Sequence, residues 1–205
     1  MSPRPRTVTD EAILHATHRA MSRLGPTRLT LAEVAKDAGL SPATLVQRFG
    51  SKRGLLLALS TDAAESIDAC FEMLRAQHRS PLATLISAAT FMTQHTASPQ
   101  ELANHLAFLQ IDLSDPDFHR LTLQMSVQHL AGYTTLLNDA VKAGELRRCD
   151  TARLARVISA VSGGSLIAWA IHREGTAEAW VKEDLATLLV PYRRSRRAGT
   201  KKRRP

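Results

Sequence analysis

Apolar residues recur at three- and four-residue spacing along almost the whole chain. Ile13, Ala16, Ala20 and Leu24 form one such stripe, and Leu56, Leu59, Ala63, Ile67, Cys70 and Leu74 form a longer one. That is the period of an amphipathic helix. No segment shows convincing apolar–polar alternation of the kind a half-buried strand needs, so the pattern predicts an all-α fold. Punctuation marks the ends of the stripes. Thr30 with Glu33, and Ser98-Pro99-Gln100-Glu101, spell capping boxes, in which hydroxyl and carboxylate each satisfy an orphan backbone donor. Ser41-Pro42, Ser80-Pro81 and Asp115-Pro116 set a capping oxygen before a proline at the first helical position, and Asp150 and Thr176 are caps without one. Gly25, Gly39, Gly50 and Gly144 mark stops, where a left-handed backbone costs glycine little. These signals predict nine helices, over residues 9–24, 31–38, 42–48, 52–77, 81–96, 99–113, 116–143, 151–173 and 177–190.

Charge divides the chain in the same places. Its 205 residues carry a formal charge of +8. Residues 193–205 hold eight basic side chains and no acid, residues 7–53 hold seven basic against four acidic, and residues 54–192 hold ten against fifteen. Basic Arg4 and Arg6 precede the first helix. The expected organisation is an arm at 1–7, a basic helical unit at 8–53, an acidic helical unit at 54–192 and a basic tail at 193–205, with arm and tail disordered. Asymmetry of this kind suggests that one end meets a polyanion. No run approaches 18 consecutive apolar residues, and SPRPRTVTDE has no apolar centre for a signal peptide, so a cytoplasmic protein away from membranes is expected. Cys70 and Cys149 stand without a CxxC or Cys/His spacing. No GxSxG, HExxH, P-loop or GxGxxG is present, so neither an enzyme nor a resident cofactor is expected.

The informative stretch is residues 31–49, LAEVAKDAGLSPATLVQRF. A short helix with Leu31, Val34, Ala35 and Ala38 ends at Gly39, and a second opens at Ser41-Pro42. That is a helix-turn-helix pattern, the first helix bracing the second against a DNA groove. The second helix buries Leu45 and leaves Pro42, Ala43, Thr44, Val46, Gln47 and Arg48 mostly outward as candidates for base edges and phosphates. Gln47 suits adenine and Arg48 guanine, each by a bidentate pair worth about 1–3 kcal/mol of discrimination.

With Ala12-Ile13-Leu14 to Gly25, Leu29-Thr30-Leu31-Ala32-Glu33-Val34-Ala35, Ala38-Gly39-Leu40-Ser41, Thr44-Leu45 and Phe49-Gly50-Ser51-Lys52-Arg53-Gly54-Leu55-Leu56, the chain resembles the tetracycline repressor (TetR) family of bacterial transcription regulators over about residues 8–58. The resemblance implies that residues 42–48 are a recognition helix and that Thr30 and Lys52 hold the phosphate backbone. Val46 departs from the family, which usually has a tyrosine there that touches a phosphate. It also implies a ligand-binding and dimerising body, a palindromic operator in double-stranded DNA, repression as the usual outcome, and release by a small-molecule effector.

Expectations for the body are looser. Phe91, Met92, His95, His105, Phe108, Asp112, Met125, His129 and Tyr133 mix apolar bulk with polar groups, as a ligand pocket does, although such residues also build ordinary cores. The histidines lack the spacing of a metal site. Gly163-Gly164 lies inside an apolar helix with Val157, Val161 and Ile167, and the next helix offers Trp180, Leu185 and Leu188. A close helix crossing would recover what two helical glycines cost, so these residues are the expected homodimer interface, with burial inside one subunit as the alternative. The competing function is nonspecific or architectural nucleic-acid binding through the basic tail.

Overall fold

The structure, a computed structural model, describes residues 8–194. The arm at 1–7, the tail beyond Arg194 and the side chain of His95 lie outside the described residues. Among the described residues there are ten α-helices, two 3-10 turns and no strand, so the chain is all-α as expected. The helices are α1 (Asp10–Arg28), α2 (Leu31–Ala38), α3 (Pro42–Phe49), α4 (Lys52–Glu65), α5 (Ile67–Gln77), α6 (Pro81–Thr90), α7 (Pro99–Ser114), α8 (Pro116–Lys142), α9 (Thr151–His172) and α10 (Ala177–Leu189).

The punctuation works as chemistry. Thr30, Ser41, Ser80, Ser98, Asp115, Asp150 and Thr176 each accept a backbone N–H from the first turn they precede. The reciprocal halves of the capping boxes differ from expectation. Glu101 accepts from the N–H of Ala97, one residue before the cap, and Glu33 lies 4.0 Å from Arg23. Gly25, Gly39, Gly50 and Gly144 all have positive φ. Gly39 (φ 67) turns the chain between α2 and α3, while Gly25 (φ 73) kinks α1, which resumes through Pro26 to Arg28.

Two expected helices are divided. Residues 52–77 form α4 and α5, joined at Ser66, whose hydroxyl donates to the Asp62 carbonyl at 2.7 Å. Ser66 keeps right-handed dihedrals (φ −85, ψ −9), so the apolar stripe crosses the joint in register and hides it from the pattern. Residues 81–96 end as an α-helix at Thr90, and Phe91–His95 tighten into a 3-10 turn.

Two cores result. One unites α1–α4 through Ile13, Met21, Leu29, Val34, Leu45 and Leu55, and it takes Phe118 from α8. The other gathers α5, α6, α8, α9 and α10 around Phe71, Leu85, Leu136, Leu137, Ile158 and Leu185. Helix α8 therefore ties the two units together. Helix α9 has a second character: its 22 residues include an 18-residue window of mean hydropathy 1.6, which satisfies the length and composition of a membrane span although no unbroken apolar run is present. One face, with Leu154, Ile158 and Trp169, packs in the core, and the other leaves Val157, Ile167 and Ile171 exposed. An apolar residue on each face raises the average of a helix that packs against α8 and α10.

Candidate nucleic-acid interface and the cavity behind it

Helix α3 is held by one fully buried side chain, Leu45, and by its neighbours in the α1–α4 core. Pro42, Ala43, Val46 and Gln47 are exposed on it, and Val46 is 48% exposed. The Thr44 hydroxyl is half-buried and shares a 2.9 Å hydrogen bond with Ser41 Oγ. Arg48 is exposed as expected, with part of its guanidinium engaged by its own chain. Its Nη1 donates to the Val8 carbonyl at 2.7 Å and to Asp10 at 3.1 Å, tying the end of α3 to the start of α1. Nη1 engaged in this way helps to orient the helix.

The phosphate candidates flank this helix. Thr30 caps α2 on the surface, and Lys52 opens α4. Lys52 Nζ donates to the Pro26 carbonyl at 2.5 Å, which leaves its backbone N–H at the positive end of a 14-residue helix. Arg53 is clamped to Asp115 and Asp117 at 2.9 and 2.7 Å, with its guanidinium over the Phe118 ring. The Arg53 hydrogen bond holds the Asp115 carboxyl below its usual range. Arg23 pairs with Asp37 in the same way. Part of the basic charge on this unit is thus spent on internal ion pairs. Gln47, which has no internal partner among the described hydrogen bonds, is the long polar side chain that α3 presents.

Behind α1 and α4 lies a cavity of about 310 Å³, large enough for a small organic molecule. Leu14, His15 and His18 line it from α1, Leu59, Asp62 and Ala63 from α4, and Ile67, Cys70, Phe71 and Leu74 from α5. Ala88, Phe91, Met92, Met125 and His129 complete it. Four of the expected pocket residues, Phe91, Met92, Met125 and His129, are therefore brought together. The α1, α4 and α5 contributions were missed because their apolar periodicity reads only as core.

The other expected pocket residues sit elsewhere. Tyr133 stacks edge-on against Phe71 behind the cavity wall, and burial pushes its hydroxyl up to about 12. Phe108 packs edge-on to Phe118 against the α1–α4 core. Asp112 lies between α7 and α8, where burial raises its pKa against the opposing Thr122 hydrogen bond, and Oδ1 is buried without a partner. His105 faces Ser22 Oγ at 3.3 Å and the His18 ring at 5.8 Å, at the seam of α1 and α7. Next to it Asn104 Nδ2 donates to the Ser22 carbonyl at 2.7 Å.

Phe71 owes its position to Gly132. A Cβ at residue 132 would run into the far end of the Phe71 ring, so glycine there lets the ring reach α8 from the cavity wall. His129 stands beside it, with Nδ1 2.9 Å from the Met125 carbonyl. Burial lowers the His129 pKa and that hydrogen bond opposes it. An unfolded imidazole, with its ordinary value near 6.5, binds the proton more readily than the folded one. Stability is expected to fall as the pH drops below about 6.5, and His129→Gln should flatten that dependence in thermal melts from pH 8 to pH 5. An unchanged slope would place the titration elsewhere.

The expected interface residues divide into two groups. Gly163 and Gly164 are exposed, with nothing within 4 Å of where a Cβ would be, and Val157 and Ile167 are exposed on the same helix. Leu185 is 1% exposed and fills the core of its own subunit, so it is not available to a partner. Val161 and Leu188 are half-buried against that core. Trp180 stacks on His172 and donates to the Glu174 carbonyl at 2.8 Å.

Residues 13–59 match the family described as bacterial regulatory proteins, tetR family. No curated protein sequence matches the chain. Solved structures share its whole fold. A TetR transcription regulator from Haloarcula marismortui is 18% identical, with a TM-score of 0.69 over 90% of this chain and 98% of that one. A protein from Saccharomonospora viridis in complex with choline is 17% identical, with a TM-score of 0.70 over 91% and 98%. The transcriptional regulator FadR from Bacillus subtilis in complex with stearoyl-CoA is 17% identical, with a TM-score of 0.61 over 89% and 98%.

Proposed function

We propose that this chain, with a tetR-family DNA-binding domain at residues 13–59 and the fold of TetR regulators behind it, is a cytoplasmic, homodimeric repressor of transcription. It reads an inverted-repeat operator and leaves it when a small molecule enters the cavity. One observation carries the reading of DNA: α3 stands braced on Leu45 and Arg48 with Pro42, Ala43, Val46 and Gln47 turned outward. A helix presented in this way fits the major groove, and the N-terminus of α4 beside it suits a phosphate. Base readout falls to Gln47, while Arg48 positions the helix. Valine at 46 contributes apolar contact rather than a phosphate hydrogen bond.

The cavity is placed to act on this surface. Its walls come from α1 and α4, and α4 runs from Lys52 beside the recognition helix to Asp62 in the lining. A ligand that fits only when those walls have shifted binds the released state better, and that difference in affinity is what removes the protein from DNA. Choline is a cation and stearoyl-CoA an anion, so neighbours of this fold bind ligands of either charge.

Selection from a random DNA pool is expected to return an inverted repeat with half-sites about one helical turn apart. Gln47→Ala should then weaken binding to the selected operator by about 5- to 100-fold, and binding to a random duplex much less. Equal losses on both would mean that Gln47 touches only phosphate.

A further inference from the structure

Among the described residues, Asp62 is the one formally charged side chain on the cavity lining. No arginine or lysine faces the space. The floor is apolar, with Ile67, Phe71, Leu74 and Ala88 all buried. The rim is wetter, and Asp62 is exposed there with no ion pair among the described residues.

The buried His129 has the same preference. A carbonyl only accepts, so the 2.9 Å contact from His129 Nδ1 to the Met125 carbonyl places the ring proton on Nδ1 and leaves Nε2 as an acceptor. Burial disfavours a second proton on that ring. Beside His15, His18 and Ser66, the cavity thus offers a carboxylate at its mouth, the His129 imidazole and the aromatic rings of Phe71 and Phe91, and among the described lining residues no arginine or lysine. Aromatic faces and a carboxylate favour a positive charge, and an anion entering would lose its hydration without a partner.

Resting on the reading of this space as the effector site, we propose that it takes an organic ammonium: a compact apolar body on the Ile67–Leu74 floor and a cationic head at Asp62. Acyl thioesters, phosphates and fatty acids are outside this class. Asp62 then selects for charge, and the Phe71 ring on the floor limits how deep the body goes.

Three probes matched in body and length decide it: 4-phenylbutylammonium, 4-phenylbutan-1-ol and 4-phenylbutanoate, titrated calorimetrically into the full chain at pH 8, where ordinary histidines are neutral. The ammonium is expected to bind about 10-fold or more tighter than the alcohol, and the carboxylate weaker than both. Asp62→Asn, a change at an exposed position, should bring the ammonium-to-alcohol ratio to within about 3-fold. Equal binding of alcohol or carboxylate in the unaltered protein, an unchanged ratio in Asp62→Asn, or no binding by any probe overturns the proposal. Release of the selected operator is read separately: ammonium that binds without releasing DNA leaves the ligand class standing and overturns the effector reading.

Discussion

Gly54→Ala is expected to abolish tight operator binding while leaving the cavity-bearing body folded. Gly54 sits in the first turn of α4, and a Cβ there would collide with the carbonyl oxygen of Phe49, the last residue of α3. The obstruction is backbone, so no rotamer relieves it. Either α4 retreats, pulling on the Lys52 bond to Pro26 and the Arg53 clamp on Asp115, or the last turn of α3 moves. Helix α3 is the weaker party. It has eight residues and a single buried side chain, whereas α4 has 14 residues and buries Leu55, Leu56, Ser60 and Ala64. Overpacking of this kind costs about 1–3 kcal/mol. Displacing a reading helix by even an ångström breaks several DNA contacts at once, so operator affinity should fall by about 30-fold or more, with Tm lower by several degrees. Fluorescence titration of the operator with a parallel melt checks this. Unchanged affinity would mean that α3 and α4 can separate freely at this joint.

If the proposed homodimer forms through α9, Ile167→Glu is expected to yield monomers at micromolar concentration and to weaken operator binding by about 100-fold or more. On α9, Val157, Gly164, Ile167 and Ile171 follow one another at helical spacing on an exposed face, and Ile171 is 73% exposed. Among the described residues nothing lies within 4 Å of where a Cβ on Gly163 or Gly164 would be, and the apolar side chains of this face stay exposed. Packed against a second copy, the missing side chains would allow the helices to approach closely, and a glutamate there would bury charge beside its symmetry mate. Because residue 167 is exposed in the subunit, the monomer should melt close to the unaltered protein. Sedimentation equilibrium reads the first effect and operator titration the second, since two linked half-site contacts become independent ones. A variant that stays dimeric would put the interface on another face.

Much of this fold was legible because helices are local. Capping side chains, proline at the first turn and positive-φ glycines act within four residues of themselves, and seven expected caps close as their spacing implies. The helix-turn-helix was legible for the same reason: Gly39 and Leu45 act within one motif. Legibility ended where a feature depended on what lay opposite. The joint at Ser66 preserves right-handed geometry and leaves no mark on the apolar stripe. Arg48 looked like a base reader, but its partners, Val8 and Asp10, are about 40 residues away in sequence. The cavity was half-found, because Phe91 and His129 look unusual as sequence while Leu14, Leu59 and Ile67 look like any core residue.

The sequence by itself determined the all-α class, the order and most ends of the helices, and the outward face of α3, because hydrogen bonds and periodicity between near neighbours set them. Only the tertiary structure decided that Arg48 pairs with Val8 and Asp10, that Leu185 is core while Gly163 and Gly164 are bare, and that a cavity with one carboxylate among its described lining residues lies behind α1 and α4. Those outcomes depend on side chains far apart in sequence competing for the same space and the same charge, and that competition exists only once the helices have packed.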